Sequence, residues 1–215
     1  LGDLITQEKI IEALQWTYDK AVNGVMGTDS AEELAAEYSM QDGTLVEKVD
    51  SLIRWQNTKA GAAGFVTGLG GFATMPVTIP ANLASVLYVQ IRMIAAIAKM
   101  GGHDLKSDKI RTLVLACLAG DGTMEILRDV GIQVGKKAAQ IAINKISGAV
   151  IAKINQAVGF RLVTKAGSTG VVNLTKMVPF LGGVIGAAFD ATVTNMIGNA
   201  ARDIFITGKI VEHIE

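Results

Sequence analysis

Hydrophobic and polar positions alternate along this chain in a way that predicts helices from end to end. Ile11, Leu14, Tyr18 and Ala21 recur at spacings of three and four after Thr6, a plausible cap, and Asn23-Gly24 supplies a stop, so a first amphipathic helix with one buried stripe is expected. Ser30 with Glu33, and Thr44 with Glu47, match the capping-box pattern, in which a hydroxyl and a carboxylate satisfy orphan amides at a helix start. Two more helices are therefore expected, separated by Asp42-Gly43. The pattern changes at Ala60: no charged residue occurs in the thirty-two positions from there to Ile91. Within that run Gly61, Gly64 and Gly68 lie three and four apart, a spacing that on a helix opens a groove for a second backbone. Gly70-Gly71, Pro76 and Pro80 then interrupt it, because proline lacks an amide donor and clashes with the preceding turn. The pattern predicts a helical hairpin, roughly 44–73, a bend, and roughly 80–100, closed by Gly101-Gly102. Further helices are expected at roughly 108–119, 123–144, 147–166 and 180–206, the last with a stripe of small and polar residues at Ala187, Asp190, Thr194, Gly198 and Ala201. No β-hairpin signal competes, and Val171-Val172 is too short for a sheet.

The expected fold is all-α: a compact helical bundle around a central, glycine-rich apolar hairpin. A single domain is expected over 1–215, with amphipathic helices in 1–58, the hairpin in 59–102, C-terminal helices in 103–206 and a tail at 207–215. Composition adds that half the residues are hydrophobic while only 5% are aromatic, so with 24 glycines the core brings backbones close together. Twenty basic and twenty acidic residues cancel, which gives no electrostatic reason to expect nucleic acid. Cys117, the only cysteine, lies in an apolar run, so no disulfide forms within one chain and a reducing, cytoplasmic setting is expected. No signal peptide is visible at the start, where residue 1 is Leu.

The uncharged run admits three readings, a buried hairpin first, then a membrane-surface hairpin and a membrane span. A bilayer requires about 20 continuous apolar residues per straight helix, and the prolines divide the run into shorter pieces. Arg92 is its most informative neighbour. It shares one helix face with Asn82, Ser85, Val89, Ala96 and Lys99, and a buried guanidinium requires a partner or must snorkel to solvent. Asp190, isolated in the last apolar helix, is the expected partner. Asn82, Gln90, Arg92, Asp190 and Thr194 thus form a candidate polar core or ligand site. Asn155, Gln156, Arg161, Thr164 and Lys165 form a polar cluster that reads as a solvated helix end, with Arg161 and Lys165 as the alternative contact for an anionic head group.

Other constellations read as structure. His103-Asp104 follows Gly101-Gly102 and is expected in a solvated turn, as is His213 in the charged tail. Two histidines and one cysteine so placed supply none of the usual zinc sets; no metal and no cofactor is expected. Gly120-Asp121-Gly122-Thr123 fits a capped helix start. Gly68-Leu-Gly-Gly and Leu181-Gly-Gly-Val-Ile-Gly lack the preceding strand and the Lys-Ser/Thr ending of a phosphate loop, so helix packing explains them.

Several stretches in one order resemble the EcsC family of bacterial proteins: Leu52-Ile-Arg-Trp-Gln56, Gly68-Leu-Gly-Gly71, Met75-Pro-Val-Thr-Ile-Pro-Ala-Asn82, Tyr88-Val-Gln-Ile-Arg-Met-Ile94, Ile154-Asn-Gln-Ala-Val-Gly-Phe-Arg161, and Val178-Pro-Phe-Leu-Gly-Gly-Val-Ile-Gly186 with Asp190. The resemblance implies a link to an operon encoding an ABC exporter and to secretion, and it brings no accepted catalytic residues. Arg54, Gln56, Asn82, Gln90, Arg92, Asn155, Arg161 and Asp190 are polar members of the matching motifs. The expectation is a non-enzymatic, membrane-associated accessory protein at the inner face of the plasma membrane, its hairpin contacting lipid, a lipid-like ligand or a membrane partner such as an ABC transporter. The alternative is a hydrolase of a lipid or peptide, with a buried polar site around Arg92 and Asp190.

Overall fold

The structure, a computed structural model, describes residues 7–25, 28–60, 81–132, 143–144, 146–165 and 184–208. The local signals place most element boundaries. Helix α1 spans Gln7–Asn23 and ends where Gly24 turns left-handed at φ 78°. Its buried stripe is Ile10, Leu14, Tyr18 and Ala21, with Ala13 and Thr17 between; Ile11 sits at its edge.

Both capping boxes are formed. Ser30 Oγ accepts from Glu33 N at 3.1 Å while Ser30 N donates to Glu33 Oε2 at 2.7 Å, starting α2 at Ala31–Ser39. Thr44 and Glu47 repeat the arrangement at 3.3 and 2.7 Å to start α3, Leu45–Ala60. These reciprocal bonds satisfy two orphan amides at each helix start, and each box holds its glutamate below the usual carboxylate pKa.

Helix α4, Ala81–Met100, is the centre of the bundle. Every residue from Leu87 to Ala98 is buried, Gln90 and Arg92 included, and α4 packs against α1, α2 and α3 and against the helices at Asp108–Cys117 and Val184–Arg202. The second arm of the expected hairpin is thus core rather than an exposed surface. Gly61, Gly64 and Gly68, which carried the expected groove, and Gly70, Gly71, Pro76 and Pro80, which carried the bend, lie outside the described residues.

Helix α5 spans Asp108–Cys117, and a short 3-10 turn at Gly120–Gly122 leads into α6, Thr123–Asp129. Here the expected helix over 123–144 is cut short. Gly131 turns left-handed at φ 78°, and Ile132 N returns to Leu127 O at 2.9 Å, a bond that closes the last turn. Helix α7 spans Gly148–Lys165 and packs against α1, α5 and α6. Helix α8, Val184–Arg202, continues as a π-helical turn over Asp203–Thr207 and stops at Gly208, φ 62°. Among the described residues there is no strand, only an isolated bridge between Val25 and Thr28.

Small residues set the closest approaches. A Cβ on Gly198 would stand 2.7 Å from Ile53 Cγ1, so α8 needs glycine there to lie against α3. The same pair of helices is joined by Arg202 Nη1 and Asp50 Oδ1 at 2.6 Å. Lys99 with Glu32, and Arg111 with Asp19, join α4 to α2 and α5 to α1. All three ion pairs are solvent-accessible and are worth roughly 0–1 kcal/mol each.

Candidate functional site

Arg92 lies in the fully apolar part of α4 and is 3% exposed. Its Nη1 donates to the carbonyl oxygen of Asp29 at 3.1 Å, and its guanidinium carbon stands 5.6 Å from the centre of the Tyr88 ring. Tyr88 is one helical turn earlier on the same face, and its hydroxyl meets Thr28 Oγ1 at 2.6 Å. Together the two side chains clamp the link between α1 and α2 onto the central helix.

Of the other expected members of this site, the side chains of Gln90 and Thr194 are described. Gln90 is buried, but it lies two residues away and projects from the opposite side of the helix. Thr194 is buried in α8. Helix α8 packs on α4 as the pairing required, yet the side chains of Asn82 and Asp190 lie outside the described residues, and so does the expected Arg92–Asp190 contact.

Arg161 is committed within the protein. Its Nη2 donates to Glu125 Oε2 at 2.6 Å and its Nη1 to Gly122 O at 3.4 Å, which ties α7 to the start of α6. A Cβ on Gly122 would stand 2.4 Å from Arg161 Cζ, so the guanidinium lies directly on that backbone. The hydrogen bond and charge of Arg161 hold the Glu125 carboxyl below its ordinary pKa. The side chains of Thr164 and Lys165 fall outside the described residues, and His213 does as well.

His103 corrects the expectation of a solvated turn: it is 8% exposed. Its ring meets Phe205 edge-on, with centroids 5.3 Å apart, and Nε2 lies 3.4 Å from the Phe205 carbonyl oxygen. The sequence hid this because the covering residue is 102 positions away, in the π-helical turn. Burial lowers the His103 pKa below its ordinary 6.5, partly offset by that carbonyl. Asp104 is exposed and accepts from Lys106 N at 2.9 Å, so the two neighbours form no dyad. Cys117 is fully buried, and burial pushes its thiol pKa strongly upward, away from the reactive thiolate. Among the described residues no group of three or more His, Cys, Asp or Glu is placed to hold a metal ion.

Two features go beyond the sequence reading, which named Gln56 and Arg54 only as members of the matching motifs. The first is Gln56: its side chain is fully buried in α3, and neither Oε1 nor Nε2 has a hydrogen-bond partner. The second is the surface of the α2–α3 hairpin. A groove of about 420 Å3 there is lined by Glu37, Tyr38, Gln41, Ser51, Arg54 and Trp55. Burial, reinforced by the charge of Glu37, pushes the Tyr38 hydroxyl up to about 12. Met40 is 81% exposed and Trp55 49%.

Charge is also segregated along the chain. Positions 28–50 hold seven acidic residues and one basic; positions 130–189 hold seven basic residues and no acidic one. The described part of the basic segment includes α7, whose outward stripe is Ala149, Ala152, Lys153, Gln156 and Phe160.

A family model described as the EcsC protein family matches residues 3–206. No curated protein and no solved structure matches the chain.

Proposed function

The chain belongs to the EcsC protein family, and on that premise we propose that it is a non-enzymatic accessory protein that associates peripherally with an anionic membrane surface, at the inner face of the plasma membrane and beside an ABC exporter. The observation that carries this reading is the segment 130–189, with seven cations, of which Arg161 is paired to Glu125, and no carboxylate side chain. Near an anionic leaflet each Lys or Arg contributes about 1 kcal/mol, and the attraction decays within a Debye length. Phe160, 61% exposed on the α7 stripe beside Lys153, adds an apolar side chain suited to the head-group boundary.

On this reading the lipid contact lies in the basic segment 130–189 instead of the apolar hairpin. The second arm of that hairpin is enclosed by five helices, and no described helix is long and apolar enough to cross a membrane. The alternative, a hydrolase built on Arg92 and Asp190, must share the guanidinium with the Asp29 carbonyl and the Tyr88 ring.

Flotation with vesicles tests the proposal. The protein is expected to rise with phosphatidylcholine vesicles containing phosphatidylglycerol at low salt, to be released as salt increases, and to stay at the bottom with phosphatidylcholine alone. Failure to rise with the anionic vesicles at low salt overturns it.

A further inference from the structure

We propose that the α2–α3 hairpin is a docking site for a basic, amphipathic segment of a partner protein. The inference goes beyond the lipid contact and does not depend on it. Five large apolar side chains are exposed among the described residues, and four of them, Met40, Leu45, Val46 and Trp55, lie within this one hairpin. Leaving such groups in water is unfavourable, and grouped exposure of this kind marks interaction surfaces. Trp is enriched among residues that dominate binding energy, while the unbranched, polarisable Met adapts to varied partners.

The groove between the helices adds a concavity, which Trp55 lines among the four exposed side chains. Tyr38 is buried in it, Glu37 and Gln41 line it from α2 and its following turn, and Ser51, Arg54 and Trp55 line it from α3. Its volume of about 420 Å3 suits one or two anchoring side chains of an inserted helix rather than a whole small domain.

Charge selects the occupant. Asp29, Glu32, Glu33, Glu37, Asp42 and Glu47 are all exposed around the hairpin, against Lys48, Arg54 and Lys59 as its basic residues, and the acidic groups are concentrated in 29–50. Ion pairs neutralise this excess at Glu32, through Lys99, and at Asp50, through Arg202, and leave it in place at the other five carboxylates. An acidic surface that also offers Trp55 and Met40 is complementary to a segment carrying Lys or Arg on one face and aliphatic residues on the other. Segments of that chemistry flank the membrane spans of integral membrane proteins on the cytoplasmic side. The same charges repel an anionic bilayer, so this surface and the acid-free segment 130–189 call for different partners.

Binding of two labelled synthetic peptides of equal length, followed by fluorescence anisotropy at low salt, tests the assignment. One is an amphipathic helix of Lys and Leu, the other its counterpart with Glu for Lys. The full chain is expected to bind the Lys peptide and not the Glu peptide. The double variant Glu37→Lys with Trp55→Ala should weaken binding by at least about tenfold, and Met40→Ser by a smaller factor. Met40 is so exposed that its replacement leaves the fold intact, and an unchanged thermal midpoint confirms this for all variants. No binding of the Lys peptide, equal binding of both peptides, or undiminished binding by the double variant overturns the proposal. The last of these results would assign the attraction to diffuse charge elsewhere on the molecule.

Discussion

Arg92, in the middle of the most apolar helix of the protein, hands a hydrogen bond to the backbone carbonyl of Asp29, 63 positions earlier in the chain, at 3.1 Å. A charge in the core therefore fixes a loop. Tyr88 does the same one turn away through Thr28.

Arg92→Met keeps the aliphatic stem and removes the guanidinium, leaving the Asp29 carbonyl without this donor. The expected cost is about 1–3 kcal/mol in chemical denaturation. A neutral or stabilising result would mean that desolvation of the charge outweighs what it holds in place.

Gln56→Leu should act in the opposite direction. The wild-type amide is fully buried with both polar atoms unpartnered, so an apolar side chain of similar size removes a desolvation cost. A gain of about 1 kcal/mol is expected from the shift in urea midpoint at constant slope. Destabilisation would show that the amide is satisfied in solution by a buried water.

His103 makes stability depend on pH. Its folded pKa lies below the ordinary 6.5, so below that value the unfolded chain binds more protons than the folded one. Stability contributed by neutral His103 is complete above about pH 6.5 and is lost as the pH falls through and below it. Urea unfolding of the wild type and of His103→Phe at pH 8 and at pH 5.5 measures this. The wild type should lose more stability on acidification; parallel losses would remove His103 as the cause.

Two adjacent glycines should differ for separate reasons. A Cβ on Gly101 would stand 2.4 Å from the Phe205 carbonyl oxygen, whereas one on Gly102 meets open space but must adopt φ 82°. Gly101→Ala is expected to cost about 1–3 kcal/mol through displaced backbone, and Gly102→Ala about 1 kcal/mol through conformational strain alone. Thermal midpoints in the reverse order would show that the turn slides away from the last helix without penalty.

The sequence alone determined where most helices begin and end, because those signals are local. Ser30 with Glu33, Thr44 with Glu47, and the left-handed Gly24, Gly102 and Gly208 act within a turn of themselves. It likewise located the buried stripe of α1, apart from the exchange of Ile11 for Ile10. The end of α6 was also encoded, in Gly131, but the apolar pattern beyond that glycine masked it. Tertiary structure decided the rest. Helix α4 is apolar on most sides, and its few polar residues do not say whether protein or lipid surrounds it; five packed helices supply the answer. In the same way, burial of His103 by Phe205, seating of Arg161 on Gly122, and exposure of Met40 and Trp55 depend on contacts between distant segments. Such contacts are set by which helix faces meet across the bundle, a property that no local spacing of residues specifies.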